Sequence, residues 1–485
     1  MLRALFFFCS LLAASTAAAQ DSAALWQNLT RNDIEAAYAL LHDDHPGAAP
    51  EAGDPGMVAR LERAHAKALE RLPQVNNLDG YTWLMGEFAN GMGDGHIRSS
   101  SRYLPRTVYW AGLIMAKRGA DWVVANQDQT AAGGDLMGAR LLSCDGVAAN
   151  DLAREALQFR TNSAVDALVV LRAPWLLVDE GNPFLQRPKA CDFDKAGTPV
   201  SLSLKWSRIS RGDLLDHHWD KPYGQAGFGV RSVDGAAWIA LQELSGKAQA
   251  VIDDMAARAE EIRRAPYVVV DVRGNGGGDD AYGRKLAAAL YGAAYASEKL
   301  GPADAASGGC DSVYRVSSDN IRTLGADAEM LDRMGDGSAA AEYRKAVAEM
   351  QKALPEGKPL VGDTTCRAKP KPAKTRAQPL YKGKVFLLTD SACFSSCIQV
   401  AQFLRELGAI QVGRGTAADT HYSEVTDIPL PSGLSTFSTL RAFMPDYPLS
   451  LGPYEPRYAY DGDIGNTEAL EKWIAGLAAG PSARP

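Results

Sequence analysis

Hydrophobic positions change their period several times along the chain, and each change predicts a new kind of element. Between residues 20 and 102 they recur at helical spacing. In "NDIEAAYALLHDDHPG", Ile34, Ala37, Tyr38 and Leu41 share one helix face, Asn32 is a candidate N-cap, and His45-Pro46-Gly47 stops the helix. From 103 to 210 the texture becomes that of short strands and turns. "VYWAGLIMAKRGADWVVANQD" holds two β-rich runs around a turn at Gly119. In "GTPVSLSLKWSR", Val200, Leu202, Leu204 and Trp206 alternate onto one face.

From 222 to 480 strands and helices alternate, which predicts an α/β domain. "AAWIALQEL" reads as a strand. "QAVIDDMAARAEEIRRA" reads as an amphipathic helix with Ile252, Met255, Ala259 and Ile262 on its face. "PYVVVDV" is unbroken apolar sequence, as expected of a strand covered on both sides. "KVFLLTD" and "AIQVGRG" continue the sheet, and "SSCIQVAQFLREL" between them is a helix ended by Gly408. An insertion at about 296–378 interrupts the alternation. It carries the helical piece "AEYRKAVAEMQKAL" and the proline-broken basic run Arg367–Arg376.

The first 19 residues follow a different rule. "MLRALFFFCSLLAASTAAAQ" has one early positive charge, an apolar stretch too short to cross a bilayer, and a small-residue run ending at Ala19. That is the layout of a signal peptide cleaved near Ala19, and it predicts a periplasmic or secreted protein with no membrane span. Removing it leaves six cysteines: Cys144, Cys191, Cys310, Cys366, Cys393 and Cys397. An oxidising compartment permits disulfides, but spacing leaves the pairing open, with Cys310–Cys366 one plausible staple and buried free thiols the alternative. The formal charge of −7 over 485 residues argues against a nucleic-acid partner. His42 and His45 have no third ligand nearby, so no metal or cofactor is expected.

Three glycine- or serine-rich loops carry the candidate chemistry. In "DVRGNGGGDD" a strand runs into glycines, whose backbone can approach a ligand closely and supply N–H donors to an oxyanion. It fits neither a phosphate-binding nor a dinucleotide-binding loop. In "DSACFSSCIQ" Ser395 falls at the first turn of a helix, where free N–H groups favour developing negative charge, and the Ser396 N–H is the neighbouring donor. Taken alone, Ser395 reads first as an ordinary N-cap. In "GMGDGHIRSS" a glycine loop presents His96 beside Asp94.

Together, and in this order, these motifs resemble the C-terminal-processing, or tail-specific, serine protease family. "VVVDVRGNGGG" is similar to that family's strand-and-glycine element, and "FLLTDSACFSSCIQVAQFLRELGAIQVGRGT" to its nucleophile strand, helix and following strand. "GDLMGARLLSCDGVAAND" resembles a stretch of a PDZ domain, so residues 103–210 are expected to be PDZ-like and to bind an extended peptide at a sheet edge. The resemblance implies a ClpP/crotonase-like fold for the α/β part and an exported serine endopeptidase with a peptide or protein substrate. It puts the nucleophile at Ser395, with Ser396 the one-step alternative, and an oxyanion donor at Gly277, with Gly276 adjacent.

One departure matters. Where the best-known branch carries a lysine base, this chain has Asp419 or Thr420. The tricorn-type branch uses serine, histidine and glutamate, and "MGDGHI" resembles its histidine loop. His96 is therefore the implied base, with His421 as rival. Glu455 is the implied acid by region, with Glu424 and Asp94 as alternatives. The other function consistent with the resemblance is a catalytically inactive member that binds a ligand or peptide.

Overall fold

The computed structural model describes residues 4–128, 134–162, 166–219, 221–301, 312–365, 377–445 and 447–480. Its architecture is mixed α/β. The central sheet has six strands in the order 228–233, 236–241, 267–271, 384–389, 410–413 and 458–459. The first pair is antiparallel and the remaining pairs are parallel.

Tyr267–Asp271 and Lys384–Thr389 are neighbours in the middle of this sheet, in register from Tyr267↔Lys384 to Asp271↔Leu388. Their sequences are apolar at nearly every position because both faces are covered. On one face Val268, Val270, Val385 and Leu387 pack under the helices Gly246–Ala257, Ala281–Tyr291 and Ser396–Glu406. On the other, Val269, Phe386 and Leu388 pack against the C-terminal helix Thr467–Ala479. Parallel strands end on one edge of a sheet, so the glycine loop after 271 and the serine loop after 389 emerge side by side.

The N-terminal segment is helical, but its first helix does not begin at Asn32. It runs unbroken over Ala4–Ala39 and widens into a π-turn at Leu40–Asp44. A capping side chain acts only where the preceding backbone is extended, and here the preceding turn is already helical. His45, at φ −80 and ψ 129, ends it as expected. Met57–Arg71 and Leu78–Asn90 follow. Their apolar faces share one core with the hairpin Tyr422–Pro429/Ser435–Phe443, so segments more than 300 positions apart are packed together. The loop leaving Leu78–Asn90 carries residues 91–97 from this core to the rim of the central sheet.

Residues 107–219 form a β-rich segment around a core of their own. Its main sheet orders 113–118, 121–127, 140–144, 190–195 and 198–203, with the helix Ala149–Leu157 alongside. Val200, Leu202, Leu204 and Trp206 do share the face that packs on this core. Cys144 and Cys191 sit directly opposite one another in this sheet and are disulfide-bonded. The second disulfide joins Cys393 and Cys397. Cys310 and Cys366 lie outside the described residues, as does the basic run 367–376. The insertion forms an antiparallel helical pair, Ser318–Met334 and Gly337–Ala353. Among the described residues no helix is long and apolar enough to cross a membrane.

Candidate active site

The scaffold begins with the motif Asp271-Val-Arg-Gly-Asn275. Asp271, Arg273 and Asn275 are completely buried. Arg273 makes a two-pronged ion pair with Asp271 at 2.9 and 2.6 Å and also donates to the Ile464 carbonyl. Trp238 donates to the same Asp271 carboxylate. A buried charge is tolerated only when so fully paired. Asn275 donates to the Leu241 carbonyl and its side-chain oxygen accepts the Gly277 N–H at 2.8 Å. Its backbone carbonyl accepts the Phe394 N–H at 3.2 Å. The polar residues of the motif thus form the frame that fixes the glycine loop against the serine loop.

Asp390 closes the frame from the other side. It accepts the N–H groups of Gly224, Gly274 and Ala392. Burial pushes its carboxyl up to about 6 despite these hydrogen bonds. The glycine loop is then close enough that a Cβ on Gly277 would lie 2.8 Å from the Ser395 Cβ and 2.9 Å from the Phe394 carbonyl. Only glycine permits both this approach and its φ of +104.

Ser395 sits at φ 55 and ψ −132, directly before the helix Ser396–Glu406. Its hydroxyl makes no capping hydrogen bond. The ordinary N-cap role open to it in the sequence is therefore not the one it plays. Ser395 Oγ instead faces His96, 3.1 Å from Nε2, across 299 positions of sequence. Ser396, the alternative, donates its hydroxyl to the Gly278 carbonyl at 2.7 Å. Its backbone N–H is the first of the helix and has no preceding turn to bond.

His96 is held from several directions. Its N–H donates to Asp94 Oδ1 at 2.7 Å, and its ring packs on Phe394 with centroids 4.5 Å apart. Nδ1 lies 3.2 Å from Asp94 Oδ1 and 3.3 Å from Asp419 Oδ1. The Thr420 hydroxyl bonds the other oxygen of Asp94, and the Thr420 N–H donates to Asp419. All three titrating side chains are nearly buried. Burial opposes charge on the ring, but the hydrogen bonds and charges of Asp419 and Asp94 outweigh it and raise His96 to about 10. Burial likewise opposes the Asp94 carboxylate, yet His96 and Thr420 hold it below the usual range. Asp419 goes the other way: burial pushes it up, only partly offset by His96. One Nδ1–H between two carboxylates explains the split. The ligand atoms of these three residues lie within 4.8 Å of one another, a spacing a metal ion could also use.

The other sequence candidates lie elsewhere. Glu455 is exposed, and its carboxyl faces Gly415 rather than the imidazole. The strand Asp419–Thr420 pairs with Ser450–Leu451, which sets Asp419 under His96 and carries the chain on past the site before Glu455 is reached. Glu424 is half-buried and accepts a hydrogen bond from the Tyr343 hydroxyl. His421 packs between Tyr422 and Phe443. Gly277 lines the serine, but its N–H is taken by Asn275. Asn275 and Asp390 were not singled out in the sequence, and Asp419, noted there only where a lysine base would stand, was not weighed as the acid. The strand–loop position of Asn275 and Asp390, each just beyond a buried strand, was the available signal.

The pattern of peptidase family S41 matches residues 235–447. No curated protein matches. The fold is similar to that of a CPAF point mutant, with a TM-score of 0.60 and 12% identity over 94% of this chain and 99% of that one. Mature CPAF is similar at a TM-score of 0.56 and 13% identity, covering 94% and 99%. Mature CPAF complexed with lactacystin gives 0.55 and 12%, covering 93% and 100%. At such identities the likeness concerns the fold.

Proposed function

We propose that this chain, which belongs to peptidase family S41, hydrolyses peptide bonds through a serine acyl-enzyme. Ser395 Oγ attacks the scissile carbonyl while His96 Nε2 takes its proton. The imidazolium that forms is stabilised by Asp94 and Asp419 at Nδ1. The Ser396 N–H, at the positive end of its helix, donates to the oxyanion, and Gly277 lets the glycine loop close over it. His96 returns the proton to the leaving amine. Water, deprotonated by the same ring, then releases the acyl group.

The observation that carries this reading is the 3.1 Å contact between Ser395 Oγ and His96 Nε2, with the serine half-buried and free of capping duty. That is within the reach required of a general base. Residues 103–210, as a PDZ-like unit, present the peptide by adding it to a sheet edge. Residues 1–19 direct export, and the two disulfides fit an oxidising compartment.

A fluorophosphonate probe tests the nucleophile directly. The wild-type protein should be labelled and should cleave an unstructured protein substrate. Ser395→Ala should abolish both, lowering kcat by about 10⁴-fold or more. Absence of labelling in the wild type would favour the inactive, ligand-binding alternative.

A further inference from the structure

Cys393 and Cys397 flank the nucleophile symmetrically, two residues to either side, and their disulfide closes a ring over Phe394, Ser395 and Ser396. Both cysteines are completely buried in the core between sheet and helices. The bridge differs in kind from Cys144–Cys191, which joins positions 47 apart. A cross-link spanning four positions removes little freedom from the unfolded chain, because loop-closure entropy grows with the loop. Its constraint is mainly local, on the folded chain.

What it encloses is a strained residue. A side chain at φ 55 and ψ −132 persists only where its surroundings over-determine it. On the helix side, Cys397 N–H donates to the Phe394 carbonyl at 3.1 Å and Ile398 N–H to the Ser395 carbonyl at 2.8 Å. On the loop side, Ala417 N–H donates to the Cys393 carbonyl at 3.0 Å. The disulfide is the covalent tie between these two sets.

We propose that the Cys393–Cys397 disulfide is a positioning element for the nucleophile, an inference that rests on the reading of Ser395 given above. The sulfurs touch no reacting atom. They fix the backbone on both sides of Ser395, so that its hydroxyl stays at His96 Nε2. Without the tie, the first helical turn relaxes toward ordinary helical dihedrals and the hydroxyl swings from the ring. With the peptide held by the PDZ-like segment proposed above, the loss falls on kcat.

The test is the double variant Cys393→Ala/Cys397→Ala, assayed for peptide hydrolysis and for the rate of fluorophosphonate labelling. With a wild-type circular dichroism spectrum, kcat should fall about 10- to 100-fold, the usual cost of a displaced reacting group. KM should stay within about twofold, and labelling should slow in parallel with kcat. The control Cys144→Ala/Cys191→Ala, in the segment proposed to hold the peptide, should melt earlier without slowing fluorophosphonate labelling, which needs no peptide contact. A folded 393/397 variant with wild-type kcat overturns the proposal. If the alanine pair does not fold, Cys393→Val/Cys397→Ala, which refills part of the lost volume, is judged by the same split. Failure of both to fold makes the bridge a stability element and also overturns it. A wild-type protein that neither hydrolyses peptides nor is labelled removes the peptidase reading, and this proposal with it.

Discussion

At the scale of single residues, the unusual feature is a ring nitrogen shared between two carboxylates. Only a neutral imidazole can accept the serine proton, yet Asp94 and Asp419 favour the charged form and raise His96 to about 10. Two consequences follow from the sign. For stability, the attraction within the cluster is fully present below the ordinary histidine pKa of about 6.5 and is lost as pH rises through about 10. For activity, kcat/KM should climb with pH, its rising limb lying well on the alkaline side of neutrality. Asp419→Asn removes one of the two charges and leaves Asp94 to hold the tautomer. The limb should then move toward acid by about one pH unit or more, each unit corresponding to about 1.4 kcal/mol. Asp94→Asn should move it too, but with a lower plateau, because Asp94 also anchors the His96 N–H and the Thr420 hydroxyl. A pH–rate profile unchanged in both variants would remove the two-carboxylate account.

At the scale of elements, the site is made by loops that leave strand ends, and each loop has its own device. The glycine loop relies on Gly277, where an added methyl meets the Ser395 Cβ at 2.8 Å and backbone oxygen at 2.9 Å. Neither neighbour is a flexible tip, so Gly277→Ala must displace the serine. We expect kcat to fall by about 10²-fold with a modest change in melting temperature, read by steady-state kinetics and calorimetry together. The cross-strand bridge Cys144–Cys191 makes the opposite prediction. Its 47-residue separation is worth about 4 kcal/mol by the loop-closure relation. Its removal should lower the melting temperature and leave fluorophosphonate labelling of Ser395 intact. These elements were legible to different degrees. The strands 267–271 and 384–389 and the helix 396–406 follow from apolar runs and a glycine stop, and so did the position of Ser395. Asn32 misled, because a capping residue says nothing about whether the preceding turn is already helical. Disulfide partners were hidden because Cys144–Cys191 depends on strand register, and Cys393–Cys397 on the bend at Ser395.

At the scale of the molecule, the site joins residues separated by 299 positions. Of its two carboxylates, Asp94, two residues from His96, was among the sequence alternatives, whereas Asp419 was not. Which carboxylate reaches the imidazole is decided by how the N-terminal helices dock on the hairpin 422–443, a packing event with no local motif. Asp419 reaches it and Glu455 does not, although both lie in plausible regions. The docking surface is apolar and continuous: Phe88 and Phe437 are buried against one another, centroids 6.0 Å apart, in the core that both segments share. A hydrogen-bonded strut runs beside it, from Tyr422 through Asp54 and Arg60 to the Met92 carbonyl at the start of the His96 loop. Weakening this core should therefore act on chemistry at a distance. Phe437→Ala leaves a cavity costing about 3–5 kcal/mol. Because the central sheet has separate cores, the cost should fall on the N-terminal helices and hairpin. Hydrogen exchange should accelerate in 78–97 and 435–443 while 267–271 and 384–389 keep their protection. In the same variant kcat should drop, since a chain with its helices undocked carries Ser395 without His96. If kcat holds while those helices exchange faster, the imidazole is kept in place by the strut alone, and the shared core is not what assembles the site.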